Sequence, residues 1–117
     1  MSEILTPTST QALPGESAEA CLNRIRPLLR EATRLGIPRH LPRYLRLSLA
    51  AYLCHHRPPD FFLKRVLEND LFGALDEATP LEASILLDLA RWICQHAPLN
   101  AAGTKEDVRA WLGLDED

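Results

Sequence analysis

Leu22, Ile25, Leu28, Leu29 and Ala32 recur three and four positions apart, the spacing of one side of an α-helix. They predict a first helix from about Ser17 to Leu35, with Ser17 as its N-cap. Pro27 falls inside that span. It removes a backbone donor and crowds the preceding turn, so a kink or a restart is expected there. Gly36 is a natural stop, and Pro38 follows two residues later. A second helix is expected from near Pro42, a good first-turn residue, to His55 or His56. Tyr44, Leu45, Leu49, Tyr52 and Leu53 make its apolar stripe, and Leu47, Ala50, Ala51 and Cys54 extend apolar character round much of the rest. A helix with so little polar surface belongs at the centre of a fold.

Pro58 and Pro59 end that helix and open a third, with Pro59 suited to its first turn and Phe62, Leu63, Val66 and Leu67 on the buried face. Asn69-Asp70 reads as a turn, followed by a short segment from Leu71 to Ala78. The clearest start signal is "TPLE", with Thr79 at the N-cap, Pro80 at the first helical position and Glu82 completing a capping box. From there a helix runs to about His96, with Ile85, Leu86, Leu89, Trp92 and Ile93 facing inward, and Pro98 stops it. "NAAG" is a loop. Thr104 with Asp107 is a second capping signal, and Val108, Trp111 and Leu112 form the seam of a last short helix. No alternating run is long enough for a strand, and no internal repeat is present. The fold class is therefore all-α, a compact bundle of five to six short helices. Residues 1–15, rich in Ser, Thr and Pro, are expected to be a flexible tail. Residues 16–117 are expected to form a single domain.

Apolar residues are 46% of the 117 and charged residues 25%, ordinary for one globular domain able to bury a core unaided. Cys21, Cys54 and Cys94 lie far apart, which suits reduced thiols. No apolar run approaches the ~18 residues that span a bilayer, and the N-terminus lacks the basic start and apolar middle of a secretory signal. No membrane association and a cytoplasmic location are expected. Oligomeric state is not legible.

The landmarks of residues 37–112 resemble a group of small helical proteins common in bacteriophage and prophage genomes. The matching residues are Ile37, Pro38, His40, Tyr52, Pro58, Pro59, Phe62, Leu63, Val66, Leu67, Asn69, Asp70, Leu71, Trp111 and Leu112. They cover about two thirds of the chain; the first helix and the tail fall outside. The glycine usual beside the Pro-Pro turn is absent, with Arg57 before it and Asp60 after. The resemblance implies a helical fold and a phage-like origin. It carries no settled activity and no catalytic residue.

Candidate chemistry is sparse. Successive helical residues point about 100° apart, so Cys54, His55 and His56 cannot face one ion together while helical. A composite of Cys54, His56 and His96 is the arrangement left open, but the expectation is no metal and no cofactor. His40, between prolines, is expected to cap the following helix or bond a carbonyl in the bend. No Ser-His-Asp order, phosphate-binding glycine loop or His-Glu-x-x-His occurs, so no catalytic residue is named.

The charge layout says more. Residues 23–65 hold ten basic residues against two acids, +8 in formal charge, while residues 66–117 sum to -8 and the whole chain to -3. One expectation is that the halves pack together and neutralise each other. Another is that Arg39, Arg43 and Arg46, with Arg57 further on, line one side of the second helix and meet phosphates or an acidic protein. A third uses the acidic stretch from Glu68 to Asp88, which includes Asp70, Asp76 and Glu77, with the tail Asp115, Glu116 and Asp117, as a protein-binding surface. The preferred expectation is a non-enzymatic phage-type protein that binds a host or phage protein through a charged helical face. The alternative is a nucleic-acid-binding accessory protein using the basic helices of residues 24–65.

Overall fold

The structure is a computed structural model and describes residues 15–113. Among the described residues six α-helices and one 3-10 turn follow in order: α1 (Ala18–Leu35), α2 (Arg43–His55), α3 (Phe61–Leu67), α4 (Leu71–Glu77), α5 (Pro80–His96), the turn Leu99–Ala101, and α6 (Lys105–Trp111). No strand occurs among the described residues. The all-α class is as expected; the tail expected at 1–15 lies, except for Gly15, outside the described residues, as do Asp115, Glu116 and Asp117.

Most boundaries are set by local capping. The Ser17 hydroxyl accepts from the Ala20 amide at 3.1 Å, and Gly36 closes α1 in the left-handed region at φ 79°. Asp60 caps α3 through the Leu63 amide at 2.9 Å, and Asp70 caps α4 through the Gly73 amide at 2.9 Å. At α5 the capping box is complete: Thr79 Oγ1 accepts from the Glu82 amide and Glu82 Oε1 accepts from the Thr79 amide. At α6 Thr104 Oγ1 accepts from the Asp107 amide at 3.0 Å.

Several details differ from the sequence expectations. α1 runs as one element through Pro27. Pro27 and Asn23 are both exposed, so water can solvate the carbonyl that proline leaves without an amide partner. Leu22, expected on the apolar stripe, is 47% exposed. Pro42 and Pro59 stand outside their helices, Pro42 as the N-cap of α2 and Pro59 just before the cap Asp60. His40 caps nothing: its Nε2 lies 2.9 Å from Asp88 Oδ2 on α5.

α2 is the central element. Leu45 and the run from Leu47 to Tyr52 are all buried. α1 packs across it, α3 packs on α4 and α5, and α6 folds back against the 3-10 turn and α3. Four side-chain bonds hold the layers in register. Trp92 Nε1 donates to the Gly36 carbonyl at 3.0 Å, tying α5 to the end of α1. The Tyr52 hydroxyl donates to the Ala101 carbonyl. Trp111 Nε1 donates to the Tyr52 carbonyl at 2.7 Å. Tyr44 donates to Glu82 Oε2, joining α2 to α5. Trp92 is buried in the core as expected, whereas Trp111 is half-buried, packed against it.

Candidate functional site

Arg39, Arg43 and Arg57 are exposed, and none pairs with a described carboxylate. Arg46 differs: it is half-buried, and its Nε donates to the Leu41 carbonyl at 3.1 Å. Arg57 lies beyond the C-terminus of α2, a helix that itself rises about 18 Å from Arg43 to His55. Of the four, Arg46 is thus turned back to the backbone before α2, and Arg57 stands past its end. Among the described residues, few ion pairs join the two halves. His40–Asp88 joins them at a distance in sequence, and Lys64 and Arg65 reach only their neighbours Glu68 and Asp70.

The Cys54-His55-His56 cluster is dispersed by its partners. His55 Nε2 lies 2.9 Å from Glu31 Oε1. His56, in the left-handed region at φ 56°, turns its Nδ1 to the Trp111 carbonyl at 2.7 Å and its ring against that indole, centroids 4.5 Å apart. His96 stacks on Trp92 at 5.4 Å, so the composite of Cys54, His56 and His96 is not assembled. Burial pushes the Cys54 thiol up, helped by Glu31 and opposed by Arg34; a thiol so held stays protonated and is a poor nucleophile. No three His, Cys, Asp or Glu side chains among the described residues converge in a way that could hold a metal ion.

A second polar group, missed from the sequence, forms where the N-termini of α2, α3 and α5 meet. Glu82 is buried and accepts from both the Thr79 amide and the Tyr44 hydroxyl. Burial, then the Glu82 hydrogen bond and charge, push the Tyr44 phenol well above its usual range. Asp60 nearby is also raised, by desolvation first, then lowered by its Leu63 bond and raised by Glu82. Tyrosine beside two carboxylates resembles acid–base machinery in composition. Here both Glu82 oxygens are occupied by partners that cap or cross-link helices, so its geometry is that of a joint.

Glu68 is the opposite case. Its side chain is 2% exposed, with Lys64 Nζ at 3.5 Å and Arg65 Nη1 at 3.7 Å. Neither carboxylate oxygen makes a hydrogen bond.

The most unusual surface lies on α4. Its sole buried residue is Ala74. Leu71 is 46%, Leu75 51% and Phe72 88% exposed. Leu71 and Leu75 stand one turn apart on one side, and Phe72 borders them. Asp76, four residues beyond Phe72, follows on the outer flank, and Glu77 is also exposed. On the inner flank Leu71 joins a cavity of about 390 Å³ walled by Val66, Ile93 and Cys94 and closed by Ala102 and Gly103. The Gly103 amide donates to the Leu67 carbonyl at 2.8 Å, fixing that wall. Among the described residues, none that lines the cavity is charged. Asp70, from the sequence candidates, caps α4 and lies 3.7 Å from Arg65; Asp76 and Glu77 stand at the other end of the same helix. Sequence periodicity missed this surface because two turns of helix do not reveal which apolar side is covered.

Compared with known proteins, the chain matches no protein family, no curated protein and no solved structure. No helix among the described residues is long and apolar enough to cross a membrane.

Proposed function

We propose that this chain is a non-enzymatic interaction protein of phage or prophage type that acts in the cytoplasm by docking on a host or phage protein. The observation that carries the reading is the exposure of Phe72 at 88% on a helix that buries only Ala74. A seven-residue helix is far too short to persist alone in water. Its capping and its packing on α3 hold it in place while its large apolar side chains remain outside. Fully burying an exposed Phe or Leu is worth roughly 1.5–3 kcal/mol; under a partner Phe72 has most of that to gain and Leu71 and Leu75 about half, which makes Phe72 the anchor. The acids Asp76 and Glu77 beside them supply the charged rim.

A photo-crosslinking amino acid placed at Phe72 in the full chain, with another at Arg39 as comparison, tests the reading in the host cell. Adduct formation at position 72 should identify one discrete protein. Binding of that purified protein should weaken at least tenfold in Phe72→Ala. Adducts to nucleic acid at position 39, with none at 72, would refute it.

The exposed, unpaired Arg39, Arg43 and Arg57 favour a second reading, nucleic-acid binding. It requires salt-sensitive micromolar affinity that Arg39→Glu with Arg43→Glu removes; Arg46 is unsuited to the test because its guanidinium is held by Leu41.

A further inference from the structure

We infer that the groove between α4 and the C-terminal half of α5 receives a basic amphipathic helix of the partner protein. The inference rests on the protein-binding reading above and specifies the chemistry of the partner. Two observations select it. The first is the division of the surface into an apolar trough and an acidic edge. The trough runs from the uncharged cavity over Leu71 to Leu75, with Phe72 along its outer side. The edge is Asp76 and Glu77, both exposed and neither paired with a described base. α4 itself carries no Lys or Arg. Arg65, on α3, is engaged by Glu68 and Asp70, and Arg91, about 60° round α5 from the cavity-lining Cys94, pairs with neither acid. A cationic partner therefore meets two unneutralised carboxylates, and an anionic one is repelled by them.

The second is the shape. The cavity forms one end of the trough and the acids stand at the other. Leu71 and Asp76 are five residues apart on α4, about 7.5 Å of rise. A helix laid along the trough places one apolar anchor in the cavity and needs its Lys or Arg about five positions away. Its remaining apolar residues fall at the three- and four-residue spacings that read a groove.

The probe is a fluorescently labelled amphipathic peptide of about four turns, with Leu along one face and Lys or Arg flanking it. A second peptide has Glu at the basic positions. Anisotropy titrations use the full chain. The basic peptide should bind with Kd of about 10⁻⁵ M or tighter, more weakly as salt rises. Phe72→Ala should weaken it about tenfold, the loss expected of an anchor. Asp76→Lys with Glu77→Lys should weaken the basic peptide and strengthen the acidic one. All three substituted side chains are exposed, and circular dichroism confirms that each variant is folded.

If both peptides bind equally, or only the acidic one binds, in a Phe72-dependent manner, the charge inference fails while the docking surface stands. If neither binds and sedimentation shows a Phe72-dependent dimer, a second copy occupies the groove and the inference is overturned. If neither binds and Ile4→Asp with Leu5→Asp speeds amide exchange across α4, the chain's own first residues occupy it, and the inference is overturned in the same way. If neither binds and none of these changes occurs, both the inference and the protein-binding reading fall.

Discussion

Tyr52→Phe removes one oxygen atom and tests how the cavity wall is held. Tyr52 is fully buried on α2, and its hydroxyl donates to the carbonyl of Ala101, itself fully buried in the 3-10 turn. That bond attaches the segment 99–103 to the core, and Ala102 and Gly103 of the same segment close the cavity beside α4. The substitution keeps the ring, its 6.1 Å approach to Trp111 and the backbone carbonyl that accepts from the Trp111 indole. What it leaves is a buried carbonyl with no donor, a loss of about 1–3 kcal/mol. For a domain of this size each kcal/mol shifts Tm by about 4 °C, so Tm should fall by about 4–12 °C. Urea unfolding followed by tryptophan fluorescence reads the loss, with an unchanged slope in denaturant showing that the compactness of both states is kept. Amide exchange at Gly103 should accelerate more than exchange in α1. A stability change within about 0.5 kcal/mol, the range of an ordinary surface substitution, would show that water or the chain re-satisfies Ala101 and that Tyr52 does not hold this wall.

Other expectations follow from the same geometry. Burial pushes the Tyr52 phenol well above its usual range, helped by Asp107 and Glu68, and Tyr44 is raised as described above. The folded chain therefore keeps two protons that the unfolded chain releases near pH 10. Stability is whole below about pH 10 and falls above it; urea midpoints measured across that pH should decline less steeply in Tyr44→Phe than in the parent. Thr79→Ala removes one bond of the capping box and should cost about 1 kcal/mol; an unchanged thermal midpoint would contradict the cap. Glu68→Met replaces a buried carboxylate without hydrogen bonds; Lys64 and Arg65, left behind, are partly exposed and stay hydrated, so the substitution should be neutral or mildly stabilising. A loss of more than about 1 kcal/mol in chemical denaturation would mean that the Lys64 and Arg65 pairs outweigh desolvation. Trp92→Ala should cost about 3–5 kcal/mol, since the indole is buried and bonded to Gly36; a near-native unfolding curve would show that the site collapses around the loss.

The elements of this protein were legible because helix ends are written locally. Ser17, Gly36, Thr79 with Pro80 and Glu82, and Thr104 each satisfy or terminate backbone groups within a few residues of themselves, so their effect does not depend on the rest of the fold. The inward faces of α2 and α5 were legible for a related reason: helices of 13 and 17 residues repeat their apolar spacing often enough to define a side. The joints between helices were not. His40 meets Asp88 across 48 residues, Tyr44 meets Glu82 across 38, and Tyr52 meets Ala101 across 49, and no local pattern pairs positions so far apart. The arginines of the second helix read as one stripe because spacing says nothing of where a long side chain turns, and the Leu41 carbonyl claims Arg46. The α4 surface shows the limit most plainly. Leu71, Phe72 and Leu75 announce an apolar helix, but only the packing of α4 on α3 decides that Ala74 goes inside and Phe72 remains in water.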